Sequence, residues 1–203
     1  MIRSPDATVA LIMAAAAAEG FINELGERCG DYDHHGLESE AKGRIAAFHG
    51  ILKEIESSRG RTQQKYLMGS LALSGTMLDR GKNPFQDLDL LFDLRNVHMH
   101  LQIIPSEVHV PEDLRRERAR SLLPKRFRVL QTRGLAHPEF DGISLPWLRA
   151  LQTKEMAIWA CRTCTGIMQV ILDMFPDGAP NPSYSFKRDL QDYRESDALE
   201  NPF

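Results

Sequence analysis

FQDLDLLFDLRNVHMHL, residues 85–101, decides how the rest of the chain is read. The stretch follows an Asn-Pro pair and predicts one helix. Phe85, Leu88, Phe92 and Met99 recur near the helical period, and Leu91 and Leu94 widen the apolar stripe. Near its end sit Arg95, Asn96 and His100, three strong hydrogen-bonding groups on a helix that otherwise reads as core. Burying such groups is costly unless they are paired or used. Asn96 and His100 are four apart and share a face, whereas Arg95 lies five before His100 and well round the helix. One straight helix does not bring all three to a point. Long side-chain reach, or a second copy of the helix across a dimer, does.

Working outward, the flanking segments also read as helices. Asp6 to Gly26 predicts a first helix, with Ser4 or Asp6 as cap, Pro5 near its start and an alanine run in its middle. Val9, Ile12, Ala16, Glu19 and Asn23 fall on one face, which puts a polar pair, Glu19 and Asn23, on the expected core stripe. Glu27 to Gly36 reads as a polar loop. Leu37 to Ser58 reads as a second helix with Ile45, Phe48, Leu52 and Ile55 as its stripe, and Gln63 to Leu78 as a third, weakened by Gly69 and Gly75. GKNP at 81–84 is a turn.

Beyond residue 101, prolines at 105, 111, 124, 138 and 146 break the pattern. Residues 102–145 therefore predict a loop-rich insertion, with a helix at 111–123 and loop or short strands around it. Leu145 to Phe175 predicts the last long helix, stopped by Pro176 and Asp177-Gly178. The expected organisation is one helical domain, residues 1–178, and a polar, Pro-containing tail, 179–203.

Composition narrows the class. With 42% hydrophobic and 26% charged residues over 203 positions, the chain reads as a globular protein with a sizeable core. Ile12 to Ala18 is apolar but short of a membrane span, and there is no basic leader with a cleavage site. Three cysteines in no framework pattern point to a reducing compartment. A cytoplasmic protein without a membrane partner is the expectation. The net charge of −3 conceals a basic block: residues 114–133 carry eight Lys or Arg against Glu117 alone, leaving −10 for the remainder. Arg115, Arg116 and Arg118 lead this block, which suits either a phosphate backbone or an ordinary solvated helix face.

The segment LRNVHMH resembles the signature of the HEPN ribonucleases: an arginine, a polar residue, and a histidine after four to six intervening positions. Here these are Arg95, Asn96 and His100, with four residues between Arg95 and His100. The first helix, AAAAAEGFINEL, is also similar to the opening helix of such proteins, with Glu19 and Asn23 as its polar pair. The resemblance covers most of residues 6–176. It implies an all-α, HEPN-like helical bundle and a metal-independent endoribonuclease without a cofactor. In that chemistry the RNA 2′-hydroxyl attacks the adjacent phosphate and leaves a 2′,3′-cyclic phosphate. His100, with an ordinary pKa of ~6.5, suits proton transfer. Arg95 suits charge stabilisation, and Asn96 suits orienting either the imidazole or a phosphate oxygen. Glu19, Asn23 and His98 take supporting places. The resemblance further implies an RNA substrate, a homodimer with facing motif helices, and a defence or toxin setting with an antitoxin or regulatory partner. A non-catalytic HEPN-like module that binds nucleotide or RNA, or supports a dimer, fits the same residues.

Other signals are weaker. Cys29, His34 and His35 lack regular metal-ligand spacing. Cys161 and Cys164 form a CxxC inside a helix, where two small packed residues are the plain reading. Gly69-Ser70 with Asp87 and Asp89 faintly suggests a magnesium-holding nucleotidyltransferase. The helical period and the lack of β-branched residues over 87–94 argue for solvated face carboxylates instead. No metal site is expected.

Overall fold

The computed structural model of the chain describes residues 6–31, 37–99, 125–136 and 150–176. The fold is all-α, in agreement with the expected helical bundle, and the described residues contain no sheet. Among the described residues, six helices follow in order: α1 Asp6–Asp31, α2 Ser39–Ser57, α3 Thr62–Ser74, α4 Phe85–Met99, α5 Lys125–Thr132 and α6 Lys154–Asp173. The chain divides into two compact units, one formed by residues 16–88 and 164–203, the other by residues 1–15 and 89–163.

In the first unit, glycines let helices approach closely. A Cβ built on Gly69 of α3 would meet Phe48 Cε2 at 2.8 Å, and one on Gly26 of α1 would meet Leu52 Cδ1 at 2.9 Å. Phe48 and Leu52 therefore fill the space that the missing side chains leave. Phe48 is fully buried and meets Phe175 edge-on, with ring centroids 5.6 Å apart. His49 donates from Nδ1 to Gly26 O at 2.8 Å, and its ring lies where a Cβ on Gly30 would sit. Tyr66, also fully buried, donates to Ala18 O at 2.7 Å, and burial pushes its phenol well above the ordinary range.

The α2 C-terminus closes by a two-bond cap. Gly60 N donates to Ile55 O at 2.7 Å and Arg59 N to Glu56 O at 2.9 Å, with Arg59 in the left-handed region at φ 54°. The turn before α4 is built on Asp79, whose Oδ1 accepts from Gly81 N at 2.8 Å, and ends in a cis Asn83–Pro84 bond.

In the second unit, the middle of α4 is fully closed: Leu91, Phe92 and Leu94 are each at most 2% exposed. The end of α5 repeats the cap of α2. Leu135 N donates to Leu130 O at 2.9 Å and Gly134 N to Gln131 O at 3.0 Å, with Gly134 at φ 69°. Thr153 then joins two segments. Its Oγ1 donates to Leu135 O at 2.8 Å and accepts from Met156 N at 3.0 Å, capping α6.

Several expectations need correction. Helix α1 continues through 27–31 in place of the expected loop, because Cys29 keeps the apolar register and is buried. Its core face is also turned from the one expected. Ala7, Leu11, Ala14, Ala18, Ile22 and Leu25 are buried, while Val9 is 59% exposed and Ala16 is exposed. Met99, placed on the α4 stripe by periodicity, is 59% exposed. Helix α3 stops at Ser74, where Gly75 takes the left-handed conformation at φ 73° and donates to Leu71 O. Residues 125–132, expected as loop or short strand, form α5. The last long helix starts at Lys154 because Thr153 caps it there. By length and composition alone α1 is apolar enough to cross a membrane, as the core helix of a bundle also is, and 44% of its most apolar stretch is buried inside the protein. The expected helix at 111–123 and the tail 179–203 lie outside the described residues.

Candidate functional site

The sequence-derived motif falls on the last turns of α4. Asp87 to Leu94 hold the helix by burying its apolar stripe, so the side chains that follow are carried on a rigid element. Arg95 is half-buried, its guanidinium 5.1 Å from the centroid of the Phe92 ring three residues earlier. That distance is within cation–π range, and the contact fixes the direction of the long side chain. Asn96, the next residue, is exposed. A cation ordered against a buried aromatic therefore sits beside an open amide.

His98 follows one turn after Arg95 and is half-buried. Its Nδ1 lies 2.8 Å from Leu94 O. A carbonyl oxygen only accepts, so the proton is on Nδ1 and Nε2 carries the lone pair. Burial lowers the His98 pKa below its ordinary value, partly opposed by the Leu94 hydrogen bond. His98 is therefore a neutral imidazole of fixed tautomer at pH 7. His100 lies outside the described residues, as do Arg115, Arg116 and Arg118.

Glu19 and Asn23 lie in the unit formed by residues 16–88 and 164–203, where they meet a residue that the sequence reading missed. Lys65, in the first turn of α3, is 4% exposed, and its Nζ donates to Asn23 Oδ1 at 2.6 Å. It also pairs with Glu56 of α2, whose side chain is 67% exposed. The lysine stem thus crosses the interior and delivers its ammonium near the surface. Burial lowers the Lys65 pKa, and the charge of Glu19 opposes that shift. Three consecutive helices are tied together at one cation. The sequence signal was faint: Lys65 adjoins the buried Tyr66, and its partner Asn23 is 42 residues away.

The secondary metal and nucleotidyltransferase readings gain no support. Cys29 is buried and its thiol is pushed up to about 12, which makes it inert, and His34 and His35 lie outside the described residues. Gly69 packs against Phe48. Ser70 Oγ donates to Leu67 O at 2.7 Å and accepts from Leu78 N at 3.1 Å, while Asp87 and Asp89 stand on helix α4. Among the described residues, no group of three or more His, Cys, Asp or Glu side chains is placed to hold a metal. No family model, curated protein or solved structure matches the chain.

Proposed function

We propose that this chain is a metal-independent endoribonuclease of HEPN type, acting as a homodimer on RNA. The observation that carries the reading is Arg95: a guanidinium ordered over Phe92 on the last turns of a buried helix, next to exposed Asn96. Such a group stabilises a phosphorane better than a mobile surface cation, because little reorganisation is needed as charge develops. The spacing of the motif supplies His100 for the proton transfers.

In the proposed step, His100 takes the proton of a ribose 2′-hydroxyl as that oxygen attacks the adjacent phosphorus. The bond from phosphorus to the 5′-oxygen breaks, and an imidazolium returns a proton to the leaving oxygen. The products are a 2′,3′-cyclic phosphate and a 5′-hydroxyl. In a homodimer with facing motif helices, Arg95 of one protomer and His100 of its partner converge, which answers the angular spread of the motif. The basic block 114–133 tracks the RNA backbone. The proposed setting is defence or toxin activity restrained by a protein partner.

The test is incubation of purified protein with mixed RNA, with and without EDTA, followed by end-group analysis. Cyclic phosphate ends that persist in EDTA support the proposal. Arg95→Ala and His100→Ala should each reduce cleavage by roughly 10²–10⁴-fold with helix content unchanged. Near-normal activity of His100→Ala, or activity lost to EDTA and restored by magnesium, overturns it. RNA binding without cleavage under any condition would favour the non-catalytic module.

A further inference from the structure

Helix α3 opens without the capping oxygen that helix N-termini usually carry. Its N-cap is Arg61, whose side chain has no acceptor to offer the first N–H groups. Gln64 Oε1 reaches back to accept from Arg61 N at 2.9 Å, and Gln64 N donates to Arg61 O at 2.9 Å. Thr62, the first helical residue, is left over. It is 7% exposed, and neither its hydroxyl nor its N–H has a hydrogen-bond partner among the described residues. The hydroxyl oxygen nevertheless keeps access to solvent. Side chains in a helix tilt towards its N-terminus, so this hydroxyl is carried at the open end. Arg59 and Arg61, in the turn leading into α3, are exposed and enter no ion pair with the described residues. Glu56, the carboxylate nearest them in sequence, is taken by Lys65. All of these residues belong to the unit of residues 16–88 and 164–203.

We propose that the start of α3, with Arg59, Arg61 and Thr62, binds a dianionic phosphate group, carried by free phosphate or by a small phosphomonoester. The inference is independent of the ribonuclease reading. The positive end of the helix dipole and the Thr62 N–H favour an anion at this position. The buried hydroxyl of Thr62 supplies a second fixed donor, and its hydrogen-bonding capacity is otherwise unused. Two guanidiniums match the several oxygens of a phosphate, each able to hold a pair of them. Two cations and a helix terminus suit a dianion better than the single charge of a phosphodiester, so a terminal phosphate is preferred over a nucleic-acid backbone.

The test is isothermal titration calorimetry of the full chain in low-salt buffer at about pH 7.5, where phosphate monoesters are mostly dianions. Inorganic phosphate and phenyl phosphate should each bind saturably, one per chain. Tighter binding of phenyl phosphate marks an organic phosphomonoester as the ligand, and equal affinity marks free phosphate. Arg59→Gln and Arg61→Gln should each weaken binding about 10-fold, and Thr62→Val about 3–10-fold. Arg44→Gln, at an exposed arginine already paired with Glu40, should change nothing. Far-ultraviolet circular dichroism monitors folding, and the two exposed arginines keep the test decisive if Thr62→Val disturbs packing. The proposal is overturned if no saturable binding is seen up to about 10 mM phosphate, or if the Arg59→Gln/Arg61→Gln double variant binds as tightly as the wild type. It is likewise overturned if dimethyl phosphate, a monoanionic diester, binds as well as inorganic phosphate.

Discussion

Truncating the buried cation of α3 separates the contributions of its two oxygen partners, Asn23 and Glu56. Lys65→Met keeps the stem in its channel and removes the ammonium. Glu56, 67% exposed, returns to water at little cost. Asn23 Oδ1 loses a donor held at 2.6 Å, a loss worth about 1–3 kcal/mol for a buried acceptor. The lysine also recovers the free energy of leaving its buried position, so the net expectation is destabilisation of about 1–2 kcal/mol. Lys65→Ala additionally removes about three methylenes of packing, near 0.8 kcal/mol each, and reaches about 3–5 kcal/mol. Asn23→Ala leaves the ammonium in place without its closest neutral acceptor and should cost about 2–3 kcal/mol. Glu56→Gln should cost less than about 1 kcal/mol. The assay is urea denaturation followed by circular dichroism at constant m, with a Lys65→Met/Asn23→Ala cycle to give their coupling. If Glu56→Gln proves as damaging as Asn23→Ala, the surface ion pair holds the cluster, and the buried amide does not.

Three further outcomes concern His98, Phe48 and the basic block. The folded-state pKa of His98 lies below that of the unfolded chain, so its contribution to stability is present above pH ~6.5 and is lost as pH falls from there towards the folded value. Melting temperature should therefore fall on acidification across that window, and His98→Gln should reduce the slope; an unchanged slope would remove His98 as its source. Phe48→Ala empties a fully buried site and breaks the edge contact with Phe175, so it should cost about 3–5 kcal/mol, or roughly 6–20 °C in melting temperature for a chain of this size. Reversing Arg115, Arg116 and Arg118 to Glu should weaken RNA binding and flatten its dependence on salt concentration, measured by fluorescence anisotropy; equal affinity and slope would return the block to an ordinary solvated face.

The parts of the fold that large side chains mark were legible in the sequence. Ile45, Phe48 and Leu52 announce the buried face of α2 by size and spacing alone, and all three are in the core. Helix α1 shows the opposite case. Its alanine run fixes helix formation but gives no size contrast round the axis, so the exposed face with Val9 and Met13 was not distinguishable from the buried face with Leu11 and Ala14. The extension of α1 through 27–31 was hidden by polar residues, although Cys29 follows Leu25 at helical spacing. Thr153 carried a readable signal, a hydroxyl immediately before a helical pattern, but the apolar residues ahead of it masked the boundary. At the candidate site, Arg95 and Asn96 were legible from their incongruity on an apolar helix. Lys65 was not, because a buried lysine contradicts the usual preference of its type and its justification lies in two other helices.

The edge contact between Phe48 and Phe175 has a consequence for the order in which the chain assembles. Helices α1, α2 and α3 are neighbours in sequence, and the hydrogen bonds of Lys65 and Tyr66 to α1 close within 42 and 48 residues. These contacts need no later part of the chain. Phe48 waits longer, since its aromatic partner is translated 127 residues later, roughly 6–25 s at ordinary elongation rates. Through that interval the nascent three-helix segment carries an unsealed aromatic surface. This is the surface that a chaperone acting during translation would engage, and it is withdrawn when the last helix arrives.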